Sequence, residues 1–339
     1  MKERNLHIVL SYTEPNSFFL KEEFEETKYF KKVIIHSRKS KSGILKDLRF
    51  FEMILLAFKA IPKTKKNDII IGWSYYQGIA LYLVSILLFR KRLIIANNLI
   101  LDEYGTGFLY KIREFLHKFP LLSSKFIPTV NAEGLKEMYS QKFKYSKNRF
   151  KKVNDSYDQY FEISESYNPG DGFIFSGGTA NRDLECLINV AKSCPDTKFI
   201  GCFLKQQVDN ILSLGKPDNL ILYHDLPISE FYDLLKQSSA VMIPLKDNRA
   251  SGLIVVYRSI LLRKPIITTE THSMKEVIPD EQCGFLCKIG DYKHMSKCVK
   301  EILSKEDLCL SMTNKAFNHM KQYNSTRCVK QFMDIILGL

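Results

Sequence analysis

Two segments of the sequence place small residues and an Arg or Lys where a strand would turn into a helix. The first, FIFSGGTANRDLECLINVAK, begins at Phe173, and the second, AVMIPLKDNRASGLIVVYRSILLRKPIITTE, begins at Ala240. Each starts with a short apolar run typical of a β-strand and continues into an amphipathic helical pattern. Such turns bring backbone N–H groups and a cation to a position where a phosphate group can bind. Both segments therefore indicate a nucleotide-type ligand.

The elements that must position these turns alternate between strand and helix along the whole chain. Continuous Val, Ile and Leu runs separated by helical patterns are typical of a parallel sheet covered on both faces. We therefore predict an α/β protein with two doubly wound, Rossmann-like domains, in which ligands bind outside the carboxyl ends of the strands. The predicted domains are residues 1–160 and 161–324, with 151–172 as the connection and a C-terminal helix at about 325–339 that packs back on the first domain.

Length and charge limit the possible classes of protein. A chain of 339 residues exceeds what one hydrophobic core usually supports, which favours two domains. The 50 Lys and Arg residues outnumber the 37 Asp and Glu residues, for a net charge of +13. Residues 1–165 carry 29 basic and 18 acidic side chains, whereas the remainder carries 21 and 19. Such a positive field attracts nucleic acid, an anionic bilayer or a diphosphate-bearing substrate, and charge alone does not choose among them.

Cysteine usage and apolar runs predict the compartment. All eight cysteines lie in the second half, without a CxxC pair or a histidine at metal-ligand spacing, so we predict reduced core cysteines and no metal site. The apolar run near the first residue is too short for a signal peptide, and a cytoplasmic protein is expected. The longest apolar stretch, 78–89, has 12 residues, whereas a membrane-crossing helix needs roughly 20. It is predicted to be buried or to touch a membrane surface.

The order of elements between Phe173 and Leu286 resembles the donor-binding domain of GT-B glycosyltransferases, in particular the family 4-like, retaining group called glycosyl transferases group 1. The first half of the chain matches that family in architecture only. The resemblance implies two domains facing a cleft, and transfer of a hexose from a nucleotide-diphosphate sugar to a glycan or lipid-linked acceptor in surface polysaccharide biosynthesis. The segments that carry it are SGGTANRD (176–183), NLILYHDLPISEFYDLLKQSSAVMIPL (219–245), RASGLIVVYRSILLRKPIITTE (249–270) and MKEVIPDEQCGFLCKIGD (274–291).

The resemblance assigns a set of residues to the sugar donor. Its members are Gly177, Gly178, Arg182, Lys246, Ser251, Gly252 and Tyr257. An Arg at a helix start adds a full charge to the partial charge of the helix dipole and can bind phosphate oxygens bidentately. Simpler interpretations stay open: Arg182 could pair with Asp183 or Glu185 at the surface, the glycines could serve a tight turn, and Ser251 could cap a helix.

One departure from the family pattern concerns two glutamates that usually lie eight positions apart around the second turn. Alignment on Gly252 puts Arg249 and Tyr257 in those positions. The Tyr257 phenol can bond a ribose hydroxyl, whereas Arg249 cannot accept a hydrogen bond and is expected to meet phosphate during catalysis. The departure keeps a second possibility open, a non-catalytic GT-B-like subunit that supports a partner enzyme.

Polar and aromatic residues at strand ends of the first half are candidates for the acceptor site. Trp73, Tyr75 and Asn97 suit sugar faces and hydroxyls, and Asp102 or Glu103 is a candidate base for the acceptor hydroxyl. Trp73 could equally be a core residue, and the carboxylates could be ordinary loop charges. No cofactor is expected and no metal, because basic side chains and helix N-termini can neutralise the leaving diphosphate and the sequence has no D-x-D triplet.

Basic clusters beside the apolar stretch 78–89, together with segment 106–126, indicate a further partner. They suit docking on an anionic inner membrane face, where a lipid-diphosphate-linked glycan would be reached. Solvated lysines on a basic protein explain the same clusters. The rival class is a nucleic-acid-binding protein, for which the sequence offers neither an RNA-binding signature nor a recognition helix, so no nucleic-acid partner is predicted.

Overall fold

The computed structural model describes residues 4–10, 20–38, 46–101 and 107–338. The chain divides into two compact units, and each is described by itself. The first unit consists of residues 1–156 and 325–339, and the second of residues 157–324. The sequence predicts the boundary between the domains after residue 160, whereas the first segment of the first unit ends at residue 156. It also predicts that a C-terminal helix packs on the first domain, and residues 325–339 belong to the first unit.

A parallel sheet forms the centre of the first unit. Among the described residues it has six strands in the order β2-β1-β3-β4-β5-β6. The strands β1 to β6 are Leu6–Leu10, Val33–Ser37, Ile69–Gly72, Leu93–Ala96, Phe126–Val130 and Lys151–Lys152. The helices α1 to α5 are Lys21–Glu26, Lys46–Ala60, Tyr75–Leu87, Phe108–Lys118 and Glu133–Phe143. The order of the strands reverses between β1 and β3, as in doubly wound folds.

The second unit is also built on a parallel sheet with helices between the strands. Its described strands have the order β12-β11-β10-β7-β8-β9. The strands β7 to β12 are Phe173–Gly177, Lys198–Phe203, Leu220–His224, Ala240–Ile243, Ile266–Thr269 and Phe285–Cys287. The helices α6 to α12 are Leu184–Ser193, Lys205–Ser213, Ile228–Gln237, Leu253–Leu261, His272–Val277, Tyr292–Ser304 and Glu306–Met320. The prediction of two doubly wound parallel-sheet domains is confirmed.

The last helix, α13 (Ser325–Leu337), belongs to the first unit although it follows the second unit in the chain. Its Phe332 is fully buried among the β1 and β3 side chains and contacts the Phe24 ring of α1. Trp73 packs against the same Phe332 ring, with 5.8 Å between ring centroids. No helix within the described ranges is long and apolar enough to cross a bilayer.

A buried histidine pair connects β1 and β2 of the first unit and contacts Asp68, the residue before β3. His7 Nδ1 lies 2.9 Å from His36 Nε2, and His7 Nε2 lies 3.1 Å from an Asp68 carboxylate oxygen. Burial, followed by the charges of His7 and Lys63, lowers the pKa of His36 to about 4. Burial also lowers the pKa of His7, against the opposing effect of Asp68. Both imidazoles are therefore neutral in the folded protein at pH 7.

The lowered pKa of His36 predicts acid destabilisation of the first unit. The unfolded chain binds this proton near pH 6.5 and the folded chain only near pH 4, so the stability is complete above pH 6.5 and is lost as the pH falls towards 4. The loss from this group is about 3 kcal/mol. Urea unfolding at pH 7.5 and 4.5, followed by the fluorescence of Trp73, measures it. The His36→Gln variant should lose less stability on acidification than His319→Gln, and equal losses would contradict the prediction.

Candidate functional site

The two loops singled out by the sequence meet at the switch point of the second sheet. Strand β7 lies between β10 and β8, so the chain leaves β7 and β10 towards opposite sides. Ligands in open α/β sheets bind outside the strand ends at this point. We call residues 178–183 the first loop and residues 244–252 the second loop. An isolated antiparallel β-bridge between the backbones of Arg182 and Leu245 joins the two loops. Lys246 N also donates a hydrogen bond to Asn181 O at 3.1 Å.

The Arg182 side chain lies between the two loops. It is only 5% exposed, and its Nε donates to Gly177 O at 2.7 Å. Its Nη1 donates to Ala180 O at 2.7 Å and lies 3.4 Å from Ser251 Oγ. Its partners are thus carbonyl and hydroxyl oxygens. The alternative of a surface ion pair with a helix-start carboxylate is wrong.

The charge of Arg182 has no counter-ion among the residues that the structure describes, since its hydrogen bonds all go to neutral oxygens. Burial lowers the pKa of Arg182 to about 10, which leaves the guanidinium protonated at neutral pH. Burying a charge without a counter-ion costs folding free energy, and buried groups with shifted pKa values are concentrated at functional sites. The arrangement can bind an anion that completes the charge balance.

Two glycines lie beside this guanidinium, and one of them, Gly178, leaves room for it. Gly178 has φ +104°, and a Cβ atom there would lie 2.2 Å from Arg182 Nη2. Gly252 has φ +82°, and its Cβ would lie 3.7 Å from Arg182 Nη1. Both positions thus need glycine for their backbone conformation, and Gly178 also needs it for space. The predicted donor residues Gly177, Gly178, Arg182, Ser251 and Gly252 lie together.

The start of α9 adds backbone donors to the second loop. The first hydrogen bond within this helix runs from Val256 N to Gly252 O, so the N–H groups of residues 253–255 have no acceptor inside the helix. Gly252 occupies the N-cap position, and Ser251 Oγ donates instead to Ala180 O at 2.7 Å. The expectation that Ser251 caps the helix is wrong, since it joins the loops. Helix α6, in contrast, is capped by the Asp183 side chain.

Two cations of the second loop differ in their surroundings. The Lys246 side chain is exposed, and no ion pair of this residue occurs within the described part of the chain. Arg249 Nη2 lies 2.8 Å from an Asp247 oxygen, and its Nε lies 2.9 Å from both oxygens of that carboxylate. A further bond runs from Arg249 Nη2 to Asn181 Oδ1 at 3.1 Å. Arg249 therefore connects the two loops and forms an ion pair with Asp247, while its expected contact with phosphate stays a prediction.

Tyr257 lies in the hydrophobic core of the second unit. It is 4% exposed and belongs to the apolar core that α9 forms with the sheet. Its ring centroid lies 6.1 Å from that of Tyr323. The assignment of Tyr257 to a donor ribose is wrong, because most of α9 is buried and this position faces the interior.

Comparison with known proteins identifies this part of the chain. Residues 200–319 match the family model described as glycosyl transferases group 1. We call this matched segment, residues 200–319, the group 1 domain. The family suggested by the sequence is thereby confirmed. A relative in Bacillus anthracis, N-acetyl-alpha-D-glucosaminyl L-malate synthase, is 27% identical over 128 residues, which cover 38% of this chain and 30% of that protein. The match thus spans less than a third of that relative.

Solved structures extend the similarity of fold over the whole chain. Sucrose-phosphate synthase from Thermosynechococcus elongatus superposes with a TM-score of 0.74 at 10% identity, covering 99% of each chain. Anabaena HepE in complex with UDP-glucose superposes with a TM-score of 0.69 at 11% identity, covering 99% of this chain and 100% of that one. These structures support the fold of the residues before and after the group 1 domain as well.

Most of the acceptor residues predicted in the first unit are buried and form hydrogen bonds inside that unit. Tyr75 is buried, and its hydroxyl donates to His117 O at 2.7 Å. Asn97 is buried, and its Oδ1 accepts a hydrogen bond from Thr129 Oγ1 at 2.8 Å. Trp73 is partly buried against the core. Tyr75 and Asn97 are therefore wrong as acceptor ligands, and Trp73 follows the alternative of a core residue.

Asp102 and Glu103, the candidate bases, lie outside the described residues. The neighbouring Asn98 has a buried Oδ1 without a hydrogen-bond partner in the described structure, and its φ is +54°. It lies just beyond the carboxyl end of β4. Asn98 thus combines a left-handed backbone conformation with a buried, unpaired amide oxygen near the strand end.

The cysteines are buried and unpaired, as predicted. The prediction that no histidine lies at metal-ligand spacing is wrong. His294 and Cys298 are one helical turn apart on α11, and both approach Cys287 at the end of β12, with their ligand atoms all within 4.8 Å of one another. The i, i+4 spacing was visible in the sequence, but the pairing with β12 needed the fold.

Proposed function

We propose that this protein is a glycosyltransferase that uses a nucleotide-diphosphate sugar, with the diphosphate bound between the first and second loops. The observation that carries the proposal is the buried Arg182 guanidinium, which has neutral hydrogen-bond partners and no carboxylate among the described residues. A diphosphate supplies the missing negative charge. The start of α9 and the exposed Lys246 add N–H donors and a second cation.

The similar structures support a uridine nucleotide as the first donor to test. HepE of Anabaena has been solved with UDP and with UDP-glucose, and its fold covers the whole of this chain. The group 1 domain and the position of the two loops at the switch point support a nucleotide sugar as the ligand, without bearing on its base. A hexose as the transferred group and retention of its configuration are parts of the proposal that follow from the family resemblance.

A thermal-shift titration tests the proposal. UDP and UDP-glucose at one hundred times their dissociation constant should stabilise the protein by about 2.7 kcal/mol. GDP and GDP-mannose test the choice of base, and uridine tests the need for the diphosphate. Stabilisation by UDP but not by uridine is the expected result. Equal effects of UDP and uridine, or a larger effect of single-stranded RNA, would contradict it.

The proposed catalysis relies on the side chains and helix start of the second unit. As the bond from the sugar to the diphosphate breaks, negative charge develops on the leaving oxygen, and preorganised donors stabilise it. Arg182 and the N–H groups at the start of α9 are placed for this, with Lys246 beside them. We propose that no metal or cofactor takes part in this step.

We propose that the acceptor is a glycan or a lipid-linked glycan used in surface polysaccharide biosynthesis, and that the protein acts in the cytoplasm at the inner membrane face. Helix α4 supports the membrane part. Phe108, Ile112 and Phe115 follow an i, i+4, i+7 spacing, and the two Phe side chains are 78% and 59% exposed. Lys111 and Lys118 are exposed on the same helix. An apolar stripe flanked by lysines suits an anionic bilayer.

A second apolar projection lies at the end of α3. Leu87 is exposed, and Phe89 is 97% exposed with φ +53°. Lys91 beside it is exposed, whereas Arg92 is buried and donates to Thr64. One of the basic clusters predicted beside the apolar stretch 78–89, residues 90–92, therefore has a partly structural role.

A vesicle cosedimentation assay tests membrane docking. The double variant Ile112→Ser/Phe115→Ser should bind vesicles that contain phosphatidylglycerol roughly tenfold more weakly, because two apolar side chains no longer insert. Leu310→Ser, which removes an exposed leucine from the second unit, is the matched control. Equal binding of both variants, or equal binding of the wild type to uncharged vesicles, would contradict docking through α4.

A non-catalytic subunit is the second candidate, favoured by the absence of acidic residues where the family has its glutamates. Arg249 is paired with Asp247, and Tyr257 is buried. Such a subunit would still bind UDP through Arg182. Release of UDP from UDP-glucose, measured with and without glycan acceptors, separates the two: slow hydrolysis or transfer supports the enzyme, and binding without turnover supports the subunit.

A further inference from the structure

The second unit contains a cluster of soft ligand atoms outside the two loops. Cys287 is the last residue of β12, and His294 and Cys298 lie one turn apart on α11. The Sγ atoms of the two cysteines are 3.9 Å apart, and all three ligand atoms lie within 4.8 Å of one another. The geometry points to a zinc-class metal site formed by Cys287, His294 and Cys298.

The distances fit a tetrahedral ion. Two sulfur atoms that each lie about 2.3 Å from Zn²⁺ at a tetrahedral angle are about 3.8 Å apart, close to the separation seen here. Thiolate and imidazole are the ligands that soft and borderline metals prefer, whereas Mg²⁺ and Ca²⁺ prefer oxygen. Three protein ligands leave a fourth position for a water molecule or an additional ligand.

The charge balance also suits a buried ion. Cys287 and Cys298 are buried, and His294 is partly exposed. One divalent cation with two thiolates and a neutral imidazole has no net charge, which lowers the cost of placing an ion in an apolar core. Because a metal ion binds thiolate and not thiol, the metal affinity of the site should decrease as the pH is lowered.

A metal ion at this site would cross-link the edge strand β12 to helix α11, which packs over it. Strand β12 pairs only with β11 among the described strands, and α11 packs across it onto α6. A metal held by Cys287 on the strand and by two residues on the helix connects these elements within the second unit. The ion is thus structural and separate from the proposed donor chemistry.

Cobalt titration of the reduced, chelator-treated protein tests the site. Co²⁺ should bind with one ion per chain and give thiolate-to-cobalt charge-transfer absorption, which Zn²⁺ then removes. Cys298→Ser should abolish this absorption, and His294→Asn should weaken binding at least tenfold. The matched controls are Cys202→Ser, a buried cysteine in the other core of this unit, and His319→Asn, and both should bind as the wild type does.

Because Cys298 is buried, its replacement could unfold the unit, and the partly exposed His294 then provides the decisive variant. Absence of charge-transfer absorption in the wild type would overturn the site, as would unchanged cobalt affinity in folded His294→Asn. A Cys287–Cys298 disulfide found by peptide mass in the protein as isolated would overturn it too. UDP affinity should be the same in His294→Asn and in the wild type, so the metal site and the proposed function fail or succeed separately.

Discussion

Replacing Arg182 by Gln should weaken UDP binding at least tenfold, about 1.4 kcal/mol, and lower kcat/KM for UDP-glucose about a hundredfold. The reason is that Arg182 is the buried cation of the two loops and has only neutral partners in the described structure. In the ligand-free protein the lost hydrogen bonds and the relieved desolvation of the charge oppose each other. We therefore expect the free energy of unfolding without ligand to change by less than about 1 kcal/mol.

The matched comparison is Arg249→Gln, which removes a cation of the same type from the other loop. Arg249 already pairs with Asp247, so its loss breaks an ion pair and leaves a carboxylate beside the site. This variant should lose stability as well as UDP affinity, and adding Asp247→Asn should restore part of both. Calorimetric titration with UDP and urea unfolding measure the two effects. A normal UDP affinity in Arg182→Gln would contradict the assignment of the anion site.

Gly178→Ala should have the second large effect, a loss of UDP affinity of at least tenfold. The new Cβ would lie 2.2 Å from Arg182 Nη2, and the guanidinium is held by bonds to Gly177 O and Ala180 O. The guanidinium must therefore shift from its place between the loops. The positive φ of Gly178 adds strain of about 1–2 kcal/mol in the folded state.

The Gly215→Ala variant is the control that separates backbone strain at a positive φ from displacement of the Arg182 guanidinium. Gly215 also has a positive φ, +86°, but its Cβ would meet only Lys192 Nζ, at 3.9 Å. Both variants should lose similar stability in urea unfolding, and only Gly178→Ala should lose UDP affinity in calorimetry. If Gly215→Ala lost as much affinity, or Gly178→Ala lost none, the close contact with Arg182 would not matter for binding.

The strands and the two loops could be predicted from the sequence because their signals are local. Runs such as FIFSGG and AVMIPL are continuous apolar segments ended by small residues or by Pro, and β7 and β10 form where these runs occur. The order β12-β11-β10-β7-β8-β9 then brings both loops to one switch point. Short parallel strands with helical crossovers leave few alternatives to this order.

Individual side chains were predicted less well, because a strand-end position does not determine which way a side chain points. Tyr75 and Asn97 follow strands, as acceptor residues do, yet both are buried and hydrogen-bonded inside the unit. Tyr257 was placed by alignment on Gly252, but α9 is buried on most of its surface. The ion pair of Arg249 with Asp247 was in principle detectable, since two opposite charges two residues apart in a tight loop often pair.

A crystal structure of the protein with UDP-glucose tests the central claim most directly. The account predicts that diphosphate oxygens lie within hydrogen-bond distance of the Arg182 guanidinium and of the N–H groups at the start of α9. A nucleotide bound with its diphosphate elsewhere, and with Arg182 still bonded only to neutral protein oxygens, would contradict the account.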